Sequence, residues 1–200
     1  MIAIGLTGSI GMGKSTTAKL FAEAGAFVWD ADAAVHRLYA PGGAGVSAIA
    51  RLAPGAAGPD GVDRAALRAA ILADPPLLKR VEAAIHPLVA EDRAAARARA
   101  EGEGYAVAVF DIPLLFETDG ARAFDLVAVA SAPAHHQRAR VLDRPGMTLE
   151  AFEAILAKQV PDEEKCRRAD VVIDTSGGID EARAQVRALM AKLTGGAPDA

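Results

Sequence analysis

The chain has 200 residues, which suits one α/β domain and is short for two independent ones. Hydrophobic residues make up 52%, but 47 positions are alanine, so many helices are expected around a modest core of Val, Ile, Leu and Phe. The 22 basic and 26 acidic residues leave a net charge of −4, and aromatics are only 4%, which excludes a sequence-independent nucleic-acid binder and a base-stacking platform.

Ile2 to Thr7 is a short apolar run leading into a glycine-rich loop, the pattern of a buried parallel strand. Ser15 to Ala24 follows as a helix ended by Gly25, and Ala26 to Trp29 as a second strand. Ala33 to Tyr39 is a short helix. Residues 41–61, rich in Gly, Pro and Ala, are mostly connection, with a helical turn at Ile49 and Leu52. Asp63 caps a helix through Leu72. Asp74-Pro75-Pro76 opens another that runs to about Ala100 and is kinked or split at Pro87. Tyr105 to Phe110 and Asp125 to Ala130 are the third and fourth strands, followed by a helix from Pro133 to Leu142. Thr148 caps a helix to about Val160, and Pro161 starts one more helical segment. Val171 to Ile173 is the fifth strand and Ile179 to Leu193 the closing helix, with a disordered tail from Gly195.

Strands alternating with helices predict a parallel sheet covered on both faces. Residues 62–104 depart from the alternation and are read as a helical insertion in a single domain. The lone Cys166 allows no intramolecular disulfide and no multi-cysteine zinc site, and is expected to be an unreactive thiol in a helix. No apolar run reaches about 18 residues, and no basic stretch precedes the first strand. The expectation is a cytoplasmic protein with no membrane and no nucleic-acid partner.

Gly8-Ser9-Ile10-Gly11-Met12-Gly13-Lys14-Ser15 fits Gly-x-x-x-x-Gly-Lys-Ser/Thr without a mismatch. Its glycines let successive N–H groups aim at one point, and the following helix adds its positive dipole end there. Lys14 can reach the β- and γ-phosphates of a nucleotide, and Ser15 can ligate Mg²⁺. A strand before the loop and a helix after it supply the required context. The chain contains no asparagine, so the Asn-Lys-x-Asp guanine reader of regulatory GTPases is absent.

A small-molecule kinase needs an acceptor pocket and a mobile cover that excludes water. The insertion is expected to supply the first, and the Arg-bearing stretch between strands four and five the second. Asp30-Ala31-Asp32 ends strand two, where an open parallel sheet forms its binding crevice. Asp30 suits a helix N-cap, and Asp32 is the candidate to accept a proton from an attacking hydroxyl. Asp111 follows strand three, in the position of a carboxylate acting on magnesium through water. Arg138, Arg140 and Arg144 lie in the cover, where arginines neutralise a transferring phosphoryl group; the pattern alone does not choose among them. His135 and His136, adjacent on a helix, are expected to face solvent in different directions.

These pieces together resemble the dephospho-coenzyme A kinases. The matching residues are Gly5 to Thr16, Asp30-Ala31-Asp32 with His36, Asp63 to Leu67, His86-Pro87-Leu88-Val89, Ile112 to Glu117, Arg140 with Arg144, Gln159, and Ala169 to Asp174. The Asp-Ala-Asp, His-Pro and Pro-Leu-Leu-Phe-Glu pieces are the specific ones. The resemblance implies an α/β P-loop NTPase fold, with a five-stranded parallel sheet in the order 2-3-1-4-5 flanked by helices. It divides the domain into a core (about 1–61, 105–137 and 169–200), a helical substrate-binding insertion (about 62–104) and a lid (about 138–168).

It further implies ATP-dependent phosphorylation of the 3′-hydroxyl of dephospho-CoA, with Mg²⁺; a monomer is the default expectation. Asp32, Lys14 and Arg140 would be catalytic. Gly8, Gly11, Met12, Gly13, Lys14, Ser15, Thr16 and Arg144 would bind ATP, and Ser15 and Asp111 the metal. Asp32, His36, His86 and Glu117 would serve the acceptor, Glu117 alternatively the lid hinge and His86 alternatively the kink at Pro87. The family often has Phe-Gly where this chain has Leu52-Ala53-Pro54-Gly55, and commonly Asn near the adenine where Thr175 stands. The rival readings are another P-loop kinase acting on a nucleoside monophosphate or a sugar, and a non-catalytic nucleotide-dependent switch.

Overall fold

In a computed structural model that describes residues 1–196, the five apolar runs become β1 (Ile2–Thr7), β2 (Phe27–Asp30), β5 (Val107–Asp111), β6 (Leu126–Ser131) and β7 (Val171–Asp174). They form one sheet in the order β2-β5-β1-β6-β7, which is 2-3-1-4-5 when only its own strands are counted. The remaining labels belong to a two-residue-per-strand hairpin, β3 (Ala57–Gly58) and β4 (Gly61–Val62), which the composition of 41–61 did not announce. β1 pairs in parallel with β5 (Leu6 opposite Asp111) and with β6 (Thr7 opposite Val129), so the carboxyl ends of these strands converge where the phosphate loop begins.

The helices are α1 (Lys14–Glu23), α2 (Ala31–Tyr39), α3 (Ala44–Leu52), α4 (Arg64–Ala73), α5 (Pro76–Gly102), α6 (Ala134–Leu142), α7 (Leu149–Leu156), α8 (Asp162–Arg168) and α9 (Ile179–Thr194). Asp30 and Asp63 cap α2 and α4 as expected, accepting from the Ala33 N–H and from the Ala65 and Ala66 N–H groups. Three expectations are corrected. Residues 44–52 form a full helix and not a single turn: Gly45, Ala48 and Ile49 share its buried face, and the Gly-Pro-Ala composition around it masked its length. α5 is not split at Pro87 but continues through it, and Pro87 is exposed. α7 stops at Leu156, where a turn through Lys158 and Gln159 takes over.

His135 and His136 do not point apart: their ring centroids are 4.3 Å apart in the first turn of α6. Gly195 closes α9 in the left-handed conformation, and the rest of the expected tail, residues 197–200, lies outside the described residues.

The chain divides into two compact units, Met1–Trp29 with the chain from Ala100 onward, and Asp30–Arg99. The second unit therefore starts at Asp30 and takes in residues 30–61, which the sequence reading placed with the core. The reason is packing: Leu38, Ile49 and Ala56 share one core with Leu67, Leu77, Val81 and Ile85. The first unit is built on the sheet. One face packs Ile4, Leu6, Val107, Val109 and Ile173 against Leu20 and Phe21 of α1 and Val186, Leu189 and Met190 of α9. The other carries Val127 and Val129 with Leu115 and Phe116. Covering both faces is what lets every β5 residue be buried, Asp111 included.

Candidate active site

The phosphate loop links β1 to α1. Gly11 and Gly13 adopt φ of 77° and 85°, a region that L side chains rarely enter, and a Cβ on Gly11 would overlap Val141. Gly8 is required for another reason, since a Cβ there would lie 2.7 Å from the Ala130 carbonyl oxygen. Gly13 is the N-cap of α1, and no described side chain caps that helix or places an acid in its first turn. Its first N–H groups and dipole are thus left for an anion. Ser15 and Thr16 are exposed there. Met12 points the other way: it is buried, and its Sδ accepts from the Ala132 N–H at 3.2 Å, so only its backbone can serve a ligand.

Lys14 Nζ forms an ion pair with Asp111 Oδ1, whose residue is 1% exposed. The cation expected at the phosphates and the carboxylate expected at the metal are therefore direct neighbours.

Ile10 is held on both sides. Gln137 Nε2 donates to its carbonyl at 2.8 Å, and its own N–H donates to Gln159 Oε1 at 3.1 Å. Gln137 escaped the sequence reading; its signal was its place one helical turn before Val141 on the buried face of α6.

Arg140 donates through Nη1 to Thr175 Oγ1 at 2.9 Å and through Nη2 to the Thr175 carbonyl at 2.5 Å, with a longer reach to the Gly11 carbonyl at 3.5 Å. Arg140, Arg144 and Thr175 line a cleft of about 300 Å³ together with Gly11, Gly13 and Thr16. Arg138 is exposed and does not line it. Thr175 thus lies beside the loop.

Glu117 reaches Val160 and Lys165, within the stretch expected to form the lid. Its Oε1 accepts from the Val160 N–H at 2.9 Å and pairs with Lys165 Nζ at 2.9 Å. Burial pushes this carboxyl up, but the Lys165 and Val160 hydrogen bonds outweigh it and hold the group below the usual carboxylate range. Lys165 is 0% exposed, which nothing in the charged run Asp162 to Arg168 signals. Nearby, Ser131 Oγ donates to Asp162 Oδ2 at 2.5 Å. Burial, with Asp162 adding to it, raises the Cys166 thiol, in keeping with an unreactive cysteine.

In the second unit, Asp32 and His36 lie four residues apart on α2 and are both exposed on one face. His86 is exposed on α5 beside Pro87.

A parallel sheet in this order, with a Gly-x-x-x-x-Gly-Lys-Ser loop between its central strand and a helix left open at its N-terminus, defines a P-loop NTPase fold. Comparison with known proteins carries this further. A family model described as dephospho-CoA kinase matches residues 2–181. A dephospho-CoA kinase of Mesorhizobium japonicum is 56% identical over 195 residues, covering 98% of each chain. The structure of TT1252 from Thermus thermophilus superposes with a TM-score of 0.81 at 33% identity, covering 96% of this chain and 97% of that one. A dephospho-CoA kinase from Campylobacter jejuni shares the fold, with a TM-score of 0.67 at 21% identity and 96% of each chain covered. The chain belongs to the dephospho-CoA kinase family. Among the described residues no helix is long and apolar enough to cross a membrane.

Proposed function

We propose that the chain transfers the γ-phosphoryl group of ATP to the ribose 3′-hydroxyl of dephospho-CoA, giving CoA and ADP. The observation that carries this is the loop Gly8 to Ser15 opening onto the uncapped N-terminus of α1, in a chain that matches the family over nearly its full length. Backbone N–H groups of the loop and of Lys14 to Thr16 hold the phosphates, Lys14 and Arg140 neutralise the transferring group, and Arg144 supports ATP in the cleft. Asp32 orients the 3′-hydroxyl and accepts its proton as the oxygen–phosphorus bond forms and the bond to the departing ADP oxygen breaks. His36 and His86 serve the acceptor.

Mg²⁺ fits the donors present. The buried Asp111 carboxylate and the exposed Ser15 hydroxyl are hard oxygens, and magnesium is commonly held by one or two such groups together with substrate phosphates. When bound, it supplies charge neutralisation at the phosphates. In this reading the reaction runs in the cytoplasm on a monomer.

The test is ADP release from ATP with dephospho-CoA, set against nucleoside monophosphates, shikimate and sugars. Turnover is expected with dephospho-CoA; turnover with another acceptor alone rejects the substrate, and none with any acceptor favours a nucleotide switch. Lys14→Ala and Asp32→Asn should each lower kcat by roughly a hundredfold or more. ATP affinity should survive in Asp32→Asn, and near-normal kcat in that variant removes Asp32 from the mechanism.

A further inference from the structure

We infer that Thr175 is a positioning residue for the phosphoryl-transfer step, acting through Arg140. This rests on the reading that Arg140 meets the β- and γ-phosphates of ATP. Thr175 is 7% exposed and sits at the end of β7, one residue beyond the strand. Its main-chain N–H donates to the Ser131 carbonyl at 2.8 Å, which locks the backbone to the end of β6. Its hydroxyl has one proton and two lone pairs. The Met12 carbonyl at 3.0 Å and the Ser131 carbonyl at 3.2 Å both lie within reach of that proton. With the proton so engaged, the lone pairs are left for Arg140, whose Nη1 donates to Oγ1 while Nη2 donates to the Thr175 carbonyl.

Two bonds from the two arms of one guanidinium to two atoms of one residue fix both its position and its plane. The Met12 carbonyl belongs to the phosphate loop, between Gly11 and Gly13. Thr175 therefore joins three parts that must be in register during transfer: the loop, the sheet edge and the arginine. An arginine held by its long stem alone samples many rotamers, and fixing it before the substrate arrives removes that entropy from the barrier.

Thr175→Val keeps the shape and removes the hydroxyl; Thr175→Ser keeps the hydroxyl. Four measurements decide the matter: kcat for ADP release with dephospho-CoA, KM for dephospho-CoA, the ratio of ATP to AMP affinity by titration, and Tm. Thr175→Val is expected to lower kcat by about ten- to a hundredfold with KM for dephospho-CoA unchanged. It should also reduce the preference for ATP over AMP several-fold, and Thr175→Ser should recover most of both losses. In an Arg140→Ala background, Thr175→Val should cause no further loss of kcat, since the two act as a unit.

The inference is overturned if Thr175→Val matches the wild type, or if Thr175→Ser is as impaired as valine. It is equally overturned if valine costs as much without Arg140 as with it, the pattern of a merely structural residue that lowers Tm. If the wild-type chain shows no turnover with dephospho-CoA, the functional reading fails separately, and the ATP-to-AMP affinity ratios of the single and double variants still decide the role of Thr175.

Discussion

The Glu117 carboxylate carries a pH dependence whose sign can be worked out. It is half-buried against Lys165, which is itself 0% exposed, and it also accepts the Val160 N–H. Burial disfavours its charged form, but these partners prevail and its pKa lies below the ordinary 4.5. A depressed carboxyl stabilises the folded chain above its unfolded pKa, and that contribution is lost as the pH falls through the folded value. Glu117→Gln leaves the Lys165 charge buried without its counter-charge and should cost about 3 kcal/mol at pH 7, at the low end for a broken buried pair because the amide oxygen still accepts. Urea unfolding at pH 7, 5 and 4 should show the gap between wild type and variant narrowing below about 4.5, near the carboxylate's ordinary pKa. An unchanged gap would mean that the charge of Glu117 contributes nothing. At this scale the phosphate loop was legible because backbone geometry demands glycine at fixed places. Lys165 was not, because nothing in one sequence marks which lysine of a charged run turns inward.

Helix α2 shows how a side chain outside an element serves a residue within it. Asp30 lies outside the helix, yet its Oδ1 accepts from the Ala33 N–H at 2.9 Å and fixes the turn that carries Asp32. Asp30→Ala should cost about 1 kcal/mol through the lost cap. If Asp32 is the base, fraying this turn should also lower kcat by about tenfold, on the scale of misplaced catalytic groups, with ATP affinity unchanged. Asp30→Ser, which also caps, should restore both. Loss of stability without loss of kcat would show that Asp32 needs no fixed turn, and would count against its role. The sheet was legible at this scale: runs such as Val107 to Phe110 are bounded by polar or glycine-containing turns and repeat between helices. α3 and the β3–β4 hairpin were hidden for physical reasons. The apolar face of α3, with Ile49 and Leu52, begins directly after Pro41-Gly42-Gly43 and includes Gly45, which shortens the helix as read from sequence, and two-residue strands are too short to show an alternation.

Across the whole molecule, the net charge of −4 conceals an uneven distribution: residues 133–168 carry seven basic against six acidic side chains, while 105–132 and 169–200 are net acidic. The two units suggest a division of labour that overall composition does not reveal. The phosphate loop, Arg140 and Thr175 belong to the first unit; Asp32, His36 and His86 belong to the second. Each unit has its own core, so each can be loosened separately. Ile49 is fully buried in the second core, among the residues that also bury Leu38 of α2. Ile49→Ala should cost about 2–5 kcal/mol, as large-to-small core changes do. Below its unfolding temperature it should raise KM for dephospho-CoA and lower kcat while leaving ATP affinity intact. Phe21→Ala is the counterpart, because Phe21 anchors α1 in the first core, and α1 presents its N-terminus to the phosphates. It should weaken ATP binding and leave KM for dephospho-CoA nearly unchanged. Calorimetric titration with ATP and steady-state kinetics with varied dephospho-CoA separate the two effects. If Ile49→Ala weakens ATP as much as Phe21→Ala does, the acceptor role assigned to the second unit falls.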